Sequence, residues 1–484
     1  MVTTQDSTWT SQRHRTAIGR GDLSKPVRQA LADGLLRPDI SLFDYGCGRG
    51  QDVERLCRMG YNAMGWDPFY APDTPLRDSD VVFLNYVLNV IEDQQERRRT
   101  LITAWNLTTR VLVVATRLKW ELNSISGRST GDGLLTRRNT FQRLYSPNEL
   151  RSLVDEVTST RCVSPVPGVV YAFRRDEDMF AYLARGAIAK FEWDARSDYA
   201  SAVAELISFT ETRGRPPLFE EIPNHLLPVL GTLSRRSLLE LIHKGASPER
   251  VAEGAKRSTL DTLLYLGTSI FTGRAAFKDL PLSVQADIRH CFTSYREACA
   301  RADRLLSKIR DDTYVRGAMR NSPGKMTATA LYVHRRAVPK MPVVLRLYEY
   351  CGYVAAGRPE GWNILKLDHR GRRVSWSSYP DFDSDPHPTL DWTYGVEMKG
   401  LEATFQRFGN RFNRPLLHRK EEFLDIEDPH YDKYKRLTAA EVRAGLYRNP
   451  TVIGLEEGWH KELERCGVEL RGHRLVKRRG PRDP

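Results

Sequence analysis

The chain has 484 residues, 40% of them hydrophobic and 28% charged, with 74 Lys and Arg against 61 Asp and Glu, a net charge of +13 and a mean hydropathy of −0.49. These values exclude a disordered tail, a small disulfide scaffold and a membrane protein, because no apolar run approaches the ~20 residues a bilayer needs. At about 100–200 residues per domain the length predicts two to four domains, and the basic excess suits a polyanionic partner, though an arginine-rich soluble protein would carry it as well. Seven cysteines with no Cys-x-x-Cys pair argue against a disulfide framework or a structural zinc site. Met1–Thr10 is polar, without the apolar segment of a secretory signal, so a cytoplasmic location is expected.

In chain order, Ser24-Lys25-Pro26 followed by Val27, Ala30, Leu31 and Leu35 predicts an N-capped amphipathic helix with Pro in its first turn. Apolar runs at Ser41–Tyr45, Asn62–Trp66, Val81–Asn85 and Arg110–Thr116 then alternate with helical stretches at Asp52–Met59 and Asp93–Leu107, the pattern of a parallel sheet with crossover helices. Ser146-Pro147-Asn148-Glu149 and a strand near Gly168–Phe173 complete this unit near residue 180. Residues 181–325 carry helical periodicity, broken at Phe209–Pro217, with a short packing helix at Leu233–Ile242; such a domain suits either a helical bundle or a DNA-binding module. Residues 326–484 read as α+β, with strands at Leu331–His334, Ile364–Leu367 and Arg373–Ser377 and a helix at Met341–Tyr350. The basic end, Arg471 to Arg482, is a solvated tail or a phosphate-contacting arm.

The chemistry concentrates in Asp44-Tyr45-Gly46-Cys47-Gly48-Arg49-Gly50, which follows a predicted strand and opens a predicted helix. Glycines there remove the Cβ atoms that would hold a ligand off the backbone. Asp67, in Gly65-Trp66-Asp67-Pro68, stands at the end of the next strand, where a carboxylate can accept both hydroxyls of a ribose. The turn is neither the Gly-x-Gly-x-x-Gly of a dinucleotide fold nor a P-loop. It resembles motif I of class I S-adenosylmethionine-dependent methyltransferases. The resemblance implies a Rossmann-like domain over residues 1–180 with S-adenosyl-L-methionine as cofactor. It also implies that Gly46, Cys47, Gly48 and Gly50 line the cofactor, that Asp67 holds its ribose, and that Asp44 orients the turn or contacts the cofactor's ammonium group. Asp80 to Asp93 resembles the fourth-strand region of the same family, which puts Asn85, Tyr86 and Asn89 near the reacting centre as catalytic candidates, unless the Asn residues only cap the next helix. Too little chain separates Asp67 from Asp80 for the usual third strand, so the sheet is expected to lack it, with Asp78 or Asp80 as substitute adenine contacts. Neither the Pro-Pro-Tyr/Phe tetrapeptide of amino-methylating DNA enzymes nor a Pro-Cys nucleophile is present.

Over nearly its whole length the chain is similar to the DNA phosphorothioation-associated methyltransferase family. The similarity runs from His14-Arg15-Thr16-Ala17-Ile18 through Tyr332-Val333-His334-Arg335 and Ser378-Tyr379-Pro380-Asp381-Phe382-Asp383 to Leu417-His418-Arg419-Lys420-Glu421. It implies a bacterial modification or defence system, DNA as partner and contacts with the phosphorothioation proteins; a non-catalytic cofactor-binding scaffold or DNA-binding accessory protein is the alternative. Asp381, Asp383 and Asp385 lack the Gly and Glu of a calcium loop. With His387, His418 and Glu421 they form either a nuclease-like metal site or, as preferred, turn caps and ion pairs, so no metal is assigned. Trp376 and Tyr379 suit base stacking or core packing.

Overall fold

The computed structural model describes residues 12–17, 19, 22–125, 127–188, 199–230 and 234–478. The polar start, Ile18, Leu233 and the end of the basic tail from Arg479 lie outside the described residues. Two compact units make up the chain: Met1–Ala172 together with Asp312–Pro484, and Phe173–Asp311. The expected cuts at 180 and 325 thus fall earlier, and the first and third predicted domains form one unit.

In the larger unit, α1 (Lys25–Ala32) precedes β1 (Ser41–Tyr45), α2 (Gln51–Arg58), β2 (Asn62–Trp66), β3 (Ser79–Asn85), α3 (Gln94–Asn106) and β4 (Thr108–Ala115). Strand β1 lies between β2 and β3, and β3 pairs with β4, all in parallel. A small antiparallel sheet of β5 (Gly127–Thr130), β6 (Gly133–Thr136) and β7 (Phe141–Gln142) intervenes before α4 (Pro147–Thr158) and β8 (Val169–Phe173), which closes the order β2-β1-β3-β4-β8. Among the described residues no strand lies outside β2, in keeping with the missing third strand: the chain after Asp67 folds back at Ala71, whose N–H donates to the Asp67 carbonyl at 3.1 Å. Phe43, Val82, Leu84, Leu112 and Val114 meet Leu101, Ala104 and Trp105 of α3 in the core. Strands covered on both faces have to read as continuous apolar runs, as these do. Ser24 stands at the N-cap of α1, but its side chain makes no cap bond; its backbone N–H donates to Asp52 Oδ1 of α2 instead, at 2.9 Å. Helix α4 carries a capping box, Ser146 and Glu149 each bonding the other's backbone N–H.

The smaller unit is helical: α5 (Asp176–Ala187), α6 (Tyr199–Arg213), α7 (Leu227–Leu230), α8 (Arg235–Gly245), α9 (Pro248–Ser269), α10 (Leu282–Cys291) and α11 (Tyr295–Ser307). The break at Phe209–Pro217 holds it together. Arg213 and Arg215 both bind the fully buried Asp287, Arg215 Nε at 2.7 Å, and Arg215 also pairs with Glu221 at 2.7 Å.

In the remaining part of the larger unit, α12 (Asp312–Arg320) leads into an antiparallel sheet. Its strands are β9 (Lys325–Met326), β10 (Ala330–His334), β11 (Ile364–Asp368), β12 (Arg373–Ser378), β13 (Trp392–Glu397) and β14 (Ala403–Arg407), paired in that order, with α13 (Val343–Ala356) between β10 and β11. After them come α14 (Tyr431–Ala444), α15 (Glu456–Arg465) and a two-stranded β15 (Val468–Leu470) and β16 (Leu475–Lys477). The antiparallel sheet meets the parallel-sheet half through α4 and Trp120. Arg151 of α4 donates to the Val354 carbonyl, Asn148 Nδ2 to the Leu401 carbonyl at 2.7 Å, and the Trp120 ring stacks on Phe405 with centroids 5.9 Å apart.

The His and Asp residues of the C-terminal strings have caps and ion pairs as partners. His387 Nε2 meets Glu441 Oε1 at 2.7 Å, His418 Nε2 donates to the Ile453 carbonyl at 2.7 Å, Asp383 pairs with Arg336, and Asp385 Oδ1 accepts from the His387 N–H. Among the described residues no three His, Cys, Asp or Glu stand together as a metal site. Trp376 is fully buried in the core with its indole N–H on Glu349, and Tyr379 packs against the cluster around Phe382, so neither presents a ring for base stacking.

Burial, with Arg336 adding to it, pushes His334 down to about 3; burial and His387 do the same to His418, also to about 3. In an unfolded chain each imidazole takes a proton near pH 6.5, which the folded chain resists. Their contribution to stability is therefore complete above about pH 6.5 and lost as the pH falls toward 3. We expect the urea midpoint to decline across that window, and His418→Gln, which can still donate to Ile453, to flatten the decline.

Candidate functional site

A cavity of about 570 Å³ opens at the carboxyl ends of β1, β2 and β3, where open α/β sheets place their ligands. Its floor is the glycine turn. Gly46 has φ +87°, and a Cβ there would meet Val87 Cγ2 at 2.4 Å, so both conformation and space demand glycine. Gly65, on β2, lets that strand approach the turn: a Cβ would stand 2.8 Å from those of Cys47 and from Val53 Cγ2. Gly46, Cys47 and Gly48 line the cavity with Asp67, Asn85 and Tyr86; Gly50 lies at the N-cap of α2 and lines an adjoining hollow with Cys47 and Gly48. Asp44, buried on β1 beside Gly65, is not among the lining residues.

Asp67 organises this end of the sheet. Its Oδ2 accepts from the Gly48 N–H at 3.0 Å, and its Oδ1 from the N–H groups of Phe69 and Tyr70 at 2.9 and 3.0 Å. A carboxylate offers about four acceptor sites, so a ribose hydroxyl still finds a lone pair. Burial, the Asp44 carboxylate and the Asp67 carboxylate push the Cys47 thiol up to about 12, so it remains protonated and is not a nucleophile.

Several lining groups escaped the sequence reading. Phe69 and Tyr70 follow Asp67, and the His14 ring lies 4.1 Å from that of Phe69 in near-parallel stacking, while Tyr70 Oη donates to the His14 carbonyl at 2.9 Å. Arg13 clamps this segment over the cavity through Glu92 at 2.6 Å and Glu96 at 2.5 Å. These flat faces suit an adenine, whereas the residues expected for that task do not reach it. Asp80 binds the backbone and hydroxyl of Ser41, both at 2.9 Å, at the amino end of β1, and Asp78 is exposed just before β3, so both lie at the wrong end of the strands. Only the string His14-Arg15-Thr16 and the acids Glu92 and Glu96 hinted at the clamp.

The three catalytic candidates separate. Both polar atoms of the Asn85 carboxamide are buried and have no hydrogen-bond partner, at the cavity wall. A buried amide left in that state costs about 1–3 kcal/mol and points to a missing ligand. Tyr86 has φ +60°, uncommon for a bulky residue and worth about 1–3 kcal/mol of strain, held by its N–H on the Ala115 carbonyl at 2.8 Å. It lines this cavity and also a second cleft beyond it. Asn89 differs: it is fully buried, its Nδ2 donates to the Arg143 carbonyl and its Oδ1 accepts from the Arg117 N–H at 2.9 Å. Both ends of its amide hold backbone, which makes it a positioning residue.

The donor set fits a nucleoside cofactor: a side-chain-free turn, an acid at the end of β2, an aromatic pair and an unpartnered amide. Solved structures similar to the chain include a 1,6-didemethyltoxoflavin-N1-methyltransferase of Burkholderia thailandensis with bound S-adenosylhomocysteine (15% identity, 34% of this chain and 79% of that one, TM-score 0.24). Also similar are a magnesium protoporphyrin IX methyltransferase of Synechocystis (15%, 34% and 93%, 0.24) and an S-adenosylmethionine-dependent methyltransferase of Clostridium acetobutylicum (11%, 33% and 92%, 0.26). No protein-family model and no curated protein sequence matches the chain.

Asn85 and Asn89 make opposite predictions for thermal unfolding. Asn85→Ala removes an unsatisfied amide and should leave the midpoint at or above that of the wild type. Asn89→Ala breaks two buried bonds and should lower stability by about 1–3 kcal/mol.

Proposed function

We propose that the protein is an S-adenosyl-L-methionine-dependent methyltransferase with a class I core. The observation that carries this reading is the unpartnered Asn85 carboxamide at the wall of a cavity whose floor is the Gly46 turn and whose rim is Asp67. In it the glycine turn passes the methionine portion, Asp67 takes the ribose, and His14, Phe69 and Tyr70 flank the adenine. When bound, the sulfonium supplies an electrophilic methyl group: an acceptor lone pair forms the new bond as the carbon–sulfur bond breaks, the electron pair stays on sulfur and the acceptor's proton passes to water. Such an in-line displacement needs alignment above all, and alignment can supply about 7–11 kcal/mol of the barrier. That is the task of this chain's rigid groups. Tyr86, fixed at a strained position between the two cavities, sets the wall across which acceptor and cofactor meet.

The acceptor reading is DNA, or a partner beside it, within a bacterial phosphorothioation modification or defence system in the cytoplasm, with contacts to proteins of that machinery. It is supported by the net charge of +13 and by the similarity of the unusual strings listed above. Among the described residues no helix is long and apolar enough to cross a membrane. The exposed β2 edge favours a second reading, a cofactor-binding scaffold that transfers no methyl group.

Calorimetric titration with S-adenosylmethionine should show binding that Gly46→Ala abolishes and Asp67→Ala weakens by at least tenfold; no binding, or binding indifferent to both changes, overturns the cofactor assignment. Incubation with methyl-labelled cofactor and DNA, RNA or protein separates enzyme from scaffold, label in none of the three marking the scaffold.

A further inference from the structure

The second cleft, of about 600 Å³, shares Thr16, Tyr86 and Val90 with the cofactor cavity and lies between the carboxyl end of β4 and the antiparallel sheet. Trp120 packs on one face of β13 and β14 and forms a single aromatic wall with it: Tyr394 pairs with Phe405 and Trp392 with Arg407 in register, so all four side chains leave the same side of the sheet. Trp120 lies 5.4 Å from Tyr394 and 5.9 Å from Phe405 between ring centroids, and Trp392 lies 5.9 Å from Phe405. Polar groups interrupt this aromatic lining. Lys25 reaches the Pro167 carbonyl at 3.3 Å, Glu121 and Glu360 stand among the lining residues, and the buried Thr116 hydroxyl there has no hydrogen-bond partner. Flat apolar faces with a few donors and acceptors at their edges match a planar heteroaromatic ring carrying amino or carbonyl groups.

Beyond Phe405 the chain builds a ridge that leads away from this cleft. Arg407 and Arg411 are exposed, neither has a carboxylate partner among the described residues, and Arg411 lies over the Phe408 ring at 4.5 Å. Phe412 is 89% exposed, the most exposed large apolar side chain described. The loop is nevertheless anchored. Gly409 N–H donates to the Asp391 carbonyl at 3.0 Å, Arg411 N–H to the Phe408 carbonyl at 2.8 Å, and Arg414 pairs with Glu456 at 3.2 Å. A fixed aromatic face in water, as Phe412 presents next to Arg411 in the chain, loses apolar hydration only when a flat group stacks on it, and alternating cations and rings is how unpaired nucleic acid is held.

We propose that the cleft is the acceptor site and takes one base of an unpaired polynucleotide strand, whose backbone follows Arg407 and Arg411 and whose neighbouring base stacks on Phe412. The acceptor assignment rests on the methyltransferase reading; the strand binding does not. A base within a duplex cannot reach the aromatic wall of this recessed cleft without leaving its stack, so single strands bind in preference to duplex. DNA and RNA share this chemistry, and the two arms of the test distinguish them.

The test is fluorescence anisotropy of the full chain with fluorescein-labelled 20-nucleotide single strands of DNA and of RNA, and with the DNA duplex, over a salt series. The expected result is preference for one or both single strands. Phe412→Ala should weaken binding about 5- to 150-fold, and the double variant Arg407→Ala/Arg411→Ala should reduce the slope of log affinity against log salt by about 1.4, roughly 0.7 per phosphate contact. Ultraviolet cross-linking should place the strand on peptides containing Trp120, Trp392 or Phe405. All three changes are on exposed side chains outside the cofactor cavity, and S-adenosylmethionine calorimetry on the same variants reports their folding. Equal or tighter duplex binding, variants that bind as the wild type does, or cross-links confined to other peptides overturns the proposal. If the wild-type chain binds S-adenosylmethionine but no strand, this inference alone is defeated; if it binds strands but no S-adenosylmethionine, only the cofactor reading is.

Discussion

One carboxylate governs the carboxyl end of the parallel sheet. Asp67 accepts hydrogen bonds from Gly48 on one side and from Phe69 and Tyr70 on the other, so the glycine turn, the end of β2 and the aromatic pair are fixed relative to each other by three backbone donors on a single side chain. Charge-assisted bonds of this kind are about twice as strong as neutral ones. Everything further out hangs on that clamp: Tyr70 carries the His14 segment, and that segment, with Arg13 on Glu92 and Glu96, covers the cavity. The sheet can lack a strand outside β2 because the work of holding the turn has passed to this side chain and to the close approach of Gly65.

The antiparallel sheet lines the second cleft with a face of β13 and β14, and it is bound to the parallel-sheet half through Trp120 and through α4. The polar residues of the C-terminal strings serve that construction. Glu441, fully buried, receives both His387 and the Tyr447 hydroxyl, and Lys420, buried and lowered to about 7 by desolvation with Lys433 adding to it, donates to two main-chain carbonyls under the Tyr434 ring. Such groups define a single packing by having one set of partners.

How legible was this in the sequence? The parallel strands Ser41–Tyr45 and Asn62–Trp66 were readable to the residue, since both are largely apolar runs bounded by glycine or polar turns, although only β1 is buried along its middle and β2 is a half-buried edge strand. The glycine turn and Asp67 were readable because their spacing repeats a chemical need. Strands β13 and β14 were not seen, since β13 is buried through its middle and β14 is largely exposed, so neither shows the clean alternation of a strand with one face in the core and one in water. The cavity wall formed by His14 on Phe69 joins residues 55 positions apart, which no local pattern reports. Asp80 was misplaced for a reason open to correction from the sequence itself: it begins its strand, and ligands gather where parallel strands end. Asn89 and Trp376 looked functional as polar and aromatic residues do in isolation; only their partners, backbone for one and Glu349 for the other, identify them as framework.

Trp120 and Tyr394, which pack together in the wall of the second cleft, come from distant parts of the chain. About 270 residues separate them, and the whole helical unit emerges from the ribosome in between. At roughly 5–20 residues per second the aromatic wall beside β4 waits about 14–55 s for the strands that cover it. Once α4 and β8 have completed the core of the parallel sheet, that wall still waits for the strands β13 and β14. A chain arranged in this way has reason to depend on a chaperone, or on slow translation through the helical segment, for its yield in the cell.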